Sequence, residues 1–136
     1  VRAAVAEVPG LEASDIEIVH GGPSYTADTL EALALAHPDA ALFTIVGDDA
    51  AARIRTWERY EQVAERSTLV VVDRPGQQPE LPAGFSWQRV EVPHLDVSST
   101  DLRDRVRDGR PLDYLVTAPV LELISEFGLY QEDIRS

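Results

Sequence analysis

Apolar residues recur along this chain in two distinct patterns. Ala41-Leu42-Phe43-Thr44-Ile45-Val46 is a nearly continuous apolar run ended by Gly47, as expected of a strand buried on both faces of a parallel sheet. Thr68-Leu69-Val70-Val71-Val72 repeats it. Between them Ala50 to Arg66 is polar, arginine-rich and helix-prone, which makes it the crossover that a parallel pair requires and predicts a βαβ unit. Upstream, Ile16-Glu17-Ile18-Val19 alternates and predicts a short strand, stopped by His20-Gly21-Gly22-Pro23. The second pattern is helical. Leu30, Leu33, Ala34 and Ala36 recur at that spacing, with Thr26 expected as N-cap, Asp28 in the first turn and Pro38 beyond the end. Further on, Trp87 to Val92 predicts another strand. Ser98-Ser99-Thr100-Asp101 opens a helix that Gly109 ends, and Thr117-Ala118-Pro119 opens one that Gly128 ends. Strands alternating with helices argue for an α/β layered fold with a mostly parallel sheet, whose ligands sit beyond the carboxyl ends of the strands.

Length and charge narrow the class. A chain of 136 residues, 44% hydrophobic and 26% charged, is expected to form a single domain, 1–136, because the part beyond the loop at 76–84 is too short for a second core. That loop carries three prolines and two glycines within Pro75–Gly84, and its pattern fits a lid, a contact or neither. No run approaches the roughly 18 apolar residues of a membrane span, and Val1-Arg2-Ala3-Ala4-Val5 lacks the apolar stretch of a signal peptide. A soluble cytoplasmic protein is expected. The absence of cysteine removes disulfides, thiolate metal sites and cysteine nucleophiles. Twelve arginines against 24 acids give a net charge of -12, a field that repels nucleic acid and anionic membrane alike. Any anionic ligand must then be held locally, by guanidinium groups, helix N-termini and backbone amides.

Several segments could carry chemistry. Val46-Gly47-Asp48-Asp49 ends a buried strand, where glycine admits a ligand to the backbone and a carboxylate accepts hydrogen bonds from ribose or an amide. The same residues also make an ordinary turn with an acidic helix start. Ser98-Ser99-Thr100 surround the free N–H groups of a helix start, with Arg103 one turn on, and this fits either a phosphate cradle or a plain N-cap beside a surface arginine. Trp57 lies in a polar stretch and would either stack on a planar heterocycle or pack into the core. Arg74 follows a buried strand. The three histidines, His20, His37 and His94, share no helical face at ligand spacing, and no metal site is expected from them. The sequence contains no hydrolase elbow, Walker A loop or dinucleotide glycine fingerprint.

Six segments resemble, in order and spacing, bacterial nicotinate-nucleotide adenylyltransferase: Gly22-Pro23-Ser24-Tyr25-Thr26-Ala27-Asp28-Thr29-Leu30, Ile45-Val46-Gly47-Asp48-Asp49-Ala50, Thr56-Trp57, Val72-Asp73-Arg74-Pro75-Gly76, Asp96-Val97-Ser98-Ser99-Thr100-Asp101-Leu102-Arg103 and Gly128-Leu129-Tyr130. The resemblance runs from about Ile16 to Tyr130. It implies a Rossmann-like nucleotidyltransferase fold and AMP transfer from ATP, with Mg2+, to nicotinate mononucleotide, giving nicotinic acid adenine dinucleotide and pyrophosphate. By position, Tyr25, Thr26, Trp57, Glu58 and Arg74 would receive nicotinate mononucleotide. Gly47 and Asp49 would hold adenosine, and Ser98, Ser99, Thr100 and Arg103 the ATP phosphates.

The resemblance has two departures. The family's first strand and H-x-G-H motif, whose histidines stabilise the transferring phosphate, have no counterpart here, so no catalytic residue is assigned within this chain. Asp48 also stands where a small or amide residue is common. In the doubly wound order 3-2-1-4-5-6, strands 1 and 2 separate strand 3, here Ile16–Val19, from strand 4, here Ala41–Val46. With those N-terminal strands missing, strand 4 is expected to present a long apolar edge, and a longer chain, another chain or a rearrangement to cover it. A folded monomer with an intact mass near 15.0 kDa would argue against that expectation. Two alternatives to the enzyme are a nucleotide-binding module or inactive fragment without transfer chemistry, and an acidic interaction domain. Whether the protein is a homo-oligomer, and whether it accepts the amidated nucleotide, stay open at this stage.

Overall fold

The structure, a computed structural model, describes residues 1–73, 80–93 and 97–131. The chain divides into two compact units, Asp15–His94 and Val1–Ser14 with Leu95–Ser136.

In the first unit, β1 (Phe43–Gly47), β2 (Thr68–Asp73) and β3 (Trp87–Glu91) form a parallel sheet in the order β1-β2-β3. The register pairs Ile45 with Val70 and Val71 with Arg89. The apolar runs lie where the sequence places strands, and β2, between the other two, buries Leu69, Val70 and Val71. The β1–β2 crossover is helical as expected but broken into three pieces: α4 (Asp48–Ala52), a 3-10 turn (Ile54–Thr56) and α5 (Tyr60–Arg66). Arg59 makes the last break, with φ of 52°, in the left-handed region that a residue with a Cβ rarely enters. Helix α3 (Thr26–Ala36) packs on α5. One cluster gathers Ala27, Leu30, Ile54, Val63 and Leu69, and a second gathers Val46, Ala51 and Val71. Ser67, buried at the start of β2, is satisfied: its hydroxyl donates to the Val63 carbonyl at 2.9 Å and lies 2.7 Å from the Thr44 hydroxyl.

Two expectations need correcting here. Ile16–His20 is not a strand but a short helix, α2, in which Ile18 is 82% and Val19 78% exposed. A strand needs a neighbour to bond, and among the described residues the sheet holds only β1, β2 and β3. The segment therefore satisfies its backbone locally, through Val19 N–H to the Asp15 carbonyl and Gly21 N–H to that of Glu17. Thr26 is likewise the first residue of α3 rather than its cap. Tyr25 takes the cap position with extended backbone, and its carbonyl receives the Asp28 and Thr29 amides at 3.0 and 3.2 Å.

Of the loop at 76–84, residues 76–79 lie outside the described part. The remainder is tied down, with Arg55 Nη2 donating to the Ala83 carbonyl at 2.6 Å and Trp87 Nε1 to that of Pro82 at 3.1 Å.

The second unit contains α1 (Arg2–Val5), α6 (Ser99–Arg107) and α7 (Ala118–Glu126), with α1 packed on α7. Both predicted glycine stops are present in left-handed conformation, Gly109 at φ 65° and Gly128 at φ 56°. After α6, Gly109 N–H bonds the Val106 carbonyl and Arg110 N–H that of Arg105; after α7, Gly128 N–H bonds Ser125 and Leu129 N–H bonds Ile124. Each is the paired closure that satisfies the last free carbonyls of a helix.

Candidate functional site

Of the expected pyridine-side residues, Tyr25 and Thr26 begin α3, and Trp57 packs on the cluster that holds Ala27 and Leu30 of that helix. Arg59 Nη2 donates to Asp28 Oδ2 at 2.7 Å, and its guanidinium stands 6.0 Å from the centre of the Tyr25 ring. The bridge crosses 31 positions of sequence and fastens the first turn of α3 to the residue that follows Trp57 and Glu58. The Asp28 hydrogen bond raises the Arg59 pKa above its ordinary value. Trp57 is half-buried and packs against both apolar clusters, so packing accounts for its buried part, while Glu58 is exposed. Beside this corner, α2 and the start of α3 enclose a cavity of about 230 Å³, with Ile16, Val19 and Pro23 as apolar lining and Tyr25, Asp28 and Thr29 as polar lining. Thr29 closes it toward α2 by donating to Glu17 Oε1 at 2.6 Å. Arg74 lies outside the described residues.

At the carboxyl end of β1, Gly47 has φ of -82° and ψ of 167°, values open to any residue. A Cβ built there would meet nothing within 4 Å. Neither backbone strain nor crowding among the described residues calls for glycine at this strand end. Asp48 and Asp49 form the first turn of α4, where the helix dipole favours acids, and Asp49 is exposed. Asp48 Oδ1 is buried with no hydrogen-bond partner among the described residues.

In the other unit, the expected N-cap at Ser98 is present, its Oγ accepting from Asp101 N–H at 3.1 Å. Ser99, Thr100 and Arg103 are exposed. Positions 99 and 100 precede 103 by four and three residues, so both hydroxyls share a helix face with the guanidinium. Other arginines here are neutralised: Arg105 by Asp101 at 2.7 Å, Arg107 by Asp104 at 2.7 Å and Arg110 by Asp108 at 3.2 Å. Among the described residues no carboxylate pairs with Arg103. Its recorded partner is the Tyr130 ring, 5.8 Å from the guanidinium carbon to the ring centre.

Sequence reasoning missed Arg59 altogether, and took Asp28 only as a dipole-favoured acid. No local pattern announces their bridge. Among the described residues no three His, Asp or Glu side chains gather as a metal cage.

The profile of cytidylyltransferase-like proteins matches residues 1–105 of the 136. A relative from Exiguobacterium sibiricum, named "Probable nicotinate-nucleotide adenylyltransferase", is 40% identical over 96% of this chain and 69% of its own. One of the same name from Corynebacterium kroppenstedtii is 43% identical over 93% of this chain and 62% of its own. The chain thus spans about two-thirds of the length of these relatives. A solved structure from Vibrio parahaemolyticus, named "Putative Nicotinate-nucleotide Adenylyltransferase", superposes with a TM-score of 0.68, at 22% identity, over 96% of this chain and 66% of that one. This last likeness carries the α/β nucleotidyltransferase fold, and the sequence relatives carry the family: the chain belongs to the cytidylyltransferase-like proteins and, among them, to the nicotinate-nucleotide adenylyltransferase family.

Proposed function

We propose that this chain acts as a nicotinate-nucleotide adenylyltransferase, transferring AMP from ATP to nicotinate mononucleotide. In that reaction a phosphate oxygen of nicotinate mononucleotide attacks the α-phosphorus of ATP. The bond from that phosphorus to the bridging oxygen breaks, pyrophosphate leaves with the electron pair, and nicotinic acid adenine dinucleotide forms. Such transfer depends on in-line positioning and charge neutralisation more than on a protein nucleophile.

The observation that carries the reading is the α6 start, where Ser99, Thr100 and Arg103, which no carboxylate of the described residues neutralises, share one exposed face in a protein of net charge -12. An arginine that no carboxylate of the described residues pairs is available to a phosphate. Ser98 contributes by fixing the helix start. Gly47 and Asp49 are assigned to adenosine, and the openness around Gly47 supports close approach of a ligand. Tyr25, Thr26, Trp57, Glu58 and Arg74 are assigned to nicotinate mononucleotide. The Asp28–Arg59 bridge supports the part of that assignment around α3, because it fixes the Tyr25 corner.

Magnesium would arrive bound to ATP, and among the described residues no three His, Asp or Glu side chains gather to hold it. No residue of this sequence takes the role that the resemblance gives to the H-x-G-H histidines. Among the described residues no helix is long and apolar enough to cross a membrane, and we place the reaction in the cytoplasm.

Titration of the 136-residue chain with nicotinic acid adenine dinucleotide, followed by tryptophan fluorescence and thermal shift, tests the reading beside a pyrophosphate-release assay. Saturable binding with a raised melting temperature is expected, and a folded chain that binds neither the dinucleotide nor ATP would overturn it. Trp57→Ala should weaken nicotinate mononucleotide more than ATP, by about 0.5–1.5 kcal/mol. Equal losses for both would remove Trp57 from the pyridine side.

A further inference from the structure

We propose that Tyr130 is a positioning residue for Arg103, holding the guanidinium on the hydroxyl face of α6 where the phosphates of ATP are read. The proposal rests on the assignment of Ser99, Thr100 and Arg103 to those phosphates, and adds a residue given no role there.

Among the described residues, the Tyr130 ring is what holds Arg103. Its helical neighbours three and four positions away are Ser99, Thr100, Val106 and Arg107, none of them acidic. The acids of its own helix are taken, Asp101 by Arg105 and Asp104 by Arg107, each at 2.7 Å. A long, exposed arginine with no partner samples many rotamers, and ordering it on a ligand would then oppose binding. The ring of Tyr130, 5.8 Å from the guanidinium carbon, restricts that freedom through its negative face without neutralising the charge. A carboxylate in its place would pair with Arg103 and compete with phosphate.

The backbone brings the ring there by an unfavourable route. Helix α7 ends in the paired closure at Gly128, and two residues later Tyr130 itself has φ of 64°, in the left-handed region where a Cβ is strained. Packing does not demand it, since Tyr130 is 51% exposed. Ser99, Arg103 and Tyr130 line one cavity of about 180 Å³, whose remaining lining includes Leu102, Val106 and Ile124. The strained residue and the unpaired cation therefore meet beside one of the hydroxyls.

The test measures Mg·ATP and nicotinate mononucleotide binding to the 136-residue chain and to Tyr130→Phe, Tyr130→Leu, Arg103→Ala and the Arg103→Ala/Tyr130→Leu double variant. The Arg103 Nε–H resonance is followed alongside. Tyr130→Leu should weaken ATP about two- to fivefold, the value of an exposed cation–ring contact, and leave nicotinate mononucleotide unchanged. Tyr130→Phe should retain wild-type affinity, because the ring face and not the hydroxyl acts. Arg103→Ala should weaken ATP roughly tenfold or more, and adding Tyr130→Leu should weaken it no further. The Arg103 resonance should carry a ring-current shift in the wild type and Tyr130→Phe, lost in Tyr130→Leu. Undiminished ATP affinity in Tyr130→Leu, or an equal loss from it in the Arg103→Ala background, would overturn the proposal. Failure of the underlying assignment has a separate signature: wild type and Arg103→Ala would bind ATP alike while the resonance still responded to Tyr130→Leu. That outcome overturns the proposal as well.

Discussion

The two units of the chain hold their candidate residues by different means. In Asp15–His94, order comes from packing: Ile54, Val63, Leu69 and Val71 are fully buried, and Trp57 touches both clusters they help to form. In the helical unit, Leu112 is the one buried apolar side chain among the described residues. Order there comes from helix ends and neighbouring charges, namely the Ser98 cap, the glycine closures and the arginine–aspartate pairs of α6. Packing fixes a side chain by covering it, so a residue such as Trp57 has only part of its surface left for a ligand. Caps fix the backbone and leave the outward face bare, which suits the phosphate role proposed for Ser99 and Thr100.

The sharpest break of this contrast is a cavity in the sheet. Leu69→Ala removes a side chain that is 1% exposed in the middle strand and should destabilise the sheet unit by about 2–5 kcal/mol, read as a lower urea midpoint. If the two units differ as described, amide hydrogen exchange should accelerate in β1, β2 and α5 far more than in α6. Uniform acceleration would mean that the helical unit depends on the sheet's core and not on its own caps.

Gly109→Ala probes the opposite means of order. A Cβ there meets nothing within 4 Å, yet φ is 65°, so the loss is purely conformational and about 1–2 kcal/mol. The exchange of α6 amides should report it. Ser98→Ala removes the one side-chain cap of α6, for about 1 kcal/mol. It should fray the Ser99–Thr100 turn, weakening ATP binding more than it lowers the midpoint of the sheet.

These contrasts mirror what could be read from the sequence. β1 and β2 were legible because a strand buried on both faces leaves a continuous apolar run, and Ser98, Gly109 and Gly128 were legible because caps and left-handed stops act over four or five residues. Ile16–His20 misled because its alternation states only a preference, and a strand exists only beside another. Thr26 was misplaced by one position, since a hydroxyl suits both a cap and the turn after it. The contacts that organise both candidate regions, Arg59 with Asp28 and Arg103 with Tyr130, join residues far apart in the chain and leave no local signal. The left-handed backbone at Arg59 and Tyr130 was equally invisible, because neither residue type announces it.

The smallest expected effect lies on the outer face of the sheet unit, at Tyr60 and Glu61. The Tyr60 hydroxyl, followed by Glu61's own backbone and the Arg55 charge, holds the Glu61 pKa below its ordinary value, while the bond to Glu61 raises that of Tyr60. A carboxylate depressed in the folded state adds stability that is present above its unfolded pKa and lost as the pH falls through the folded one. A phenol raised in the folded state adds stability that is present below its unfolded pKa and lost as the pH rises through the folded one. Tyr60→Phe keeps the ring contact with Phe85, 5.9 Å between centres, removes the phenol's contribution and reduces the carboxylate's to the share of Glu61's own backbone and Arg55. Its stability profile against pH should therefore be flatter than that of the wild type at the acid and the alkaline ends together. A change at one end only would mean that the two groups titrate apart, and an unchanged profile would mean that the pair adds nothing to a unit held by its core.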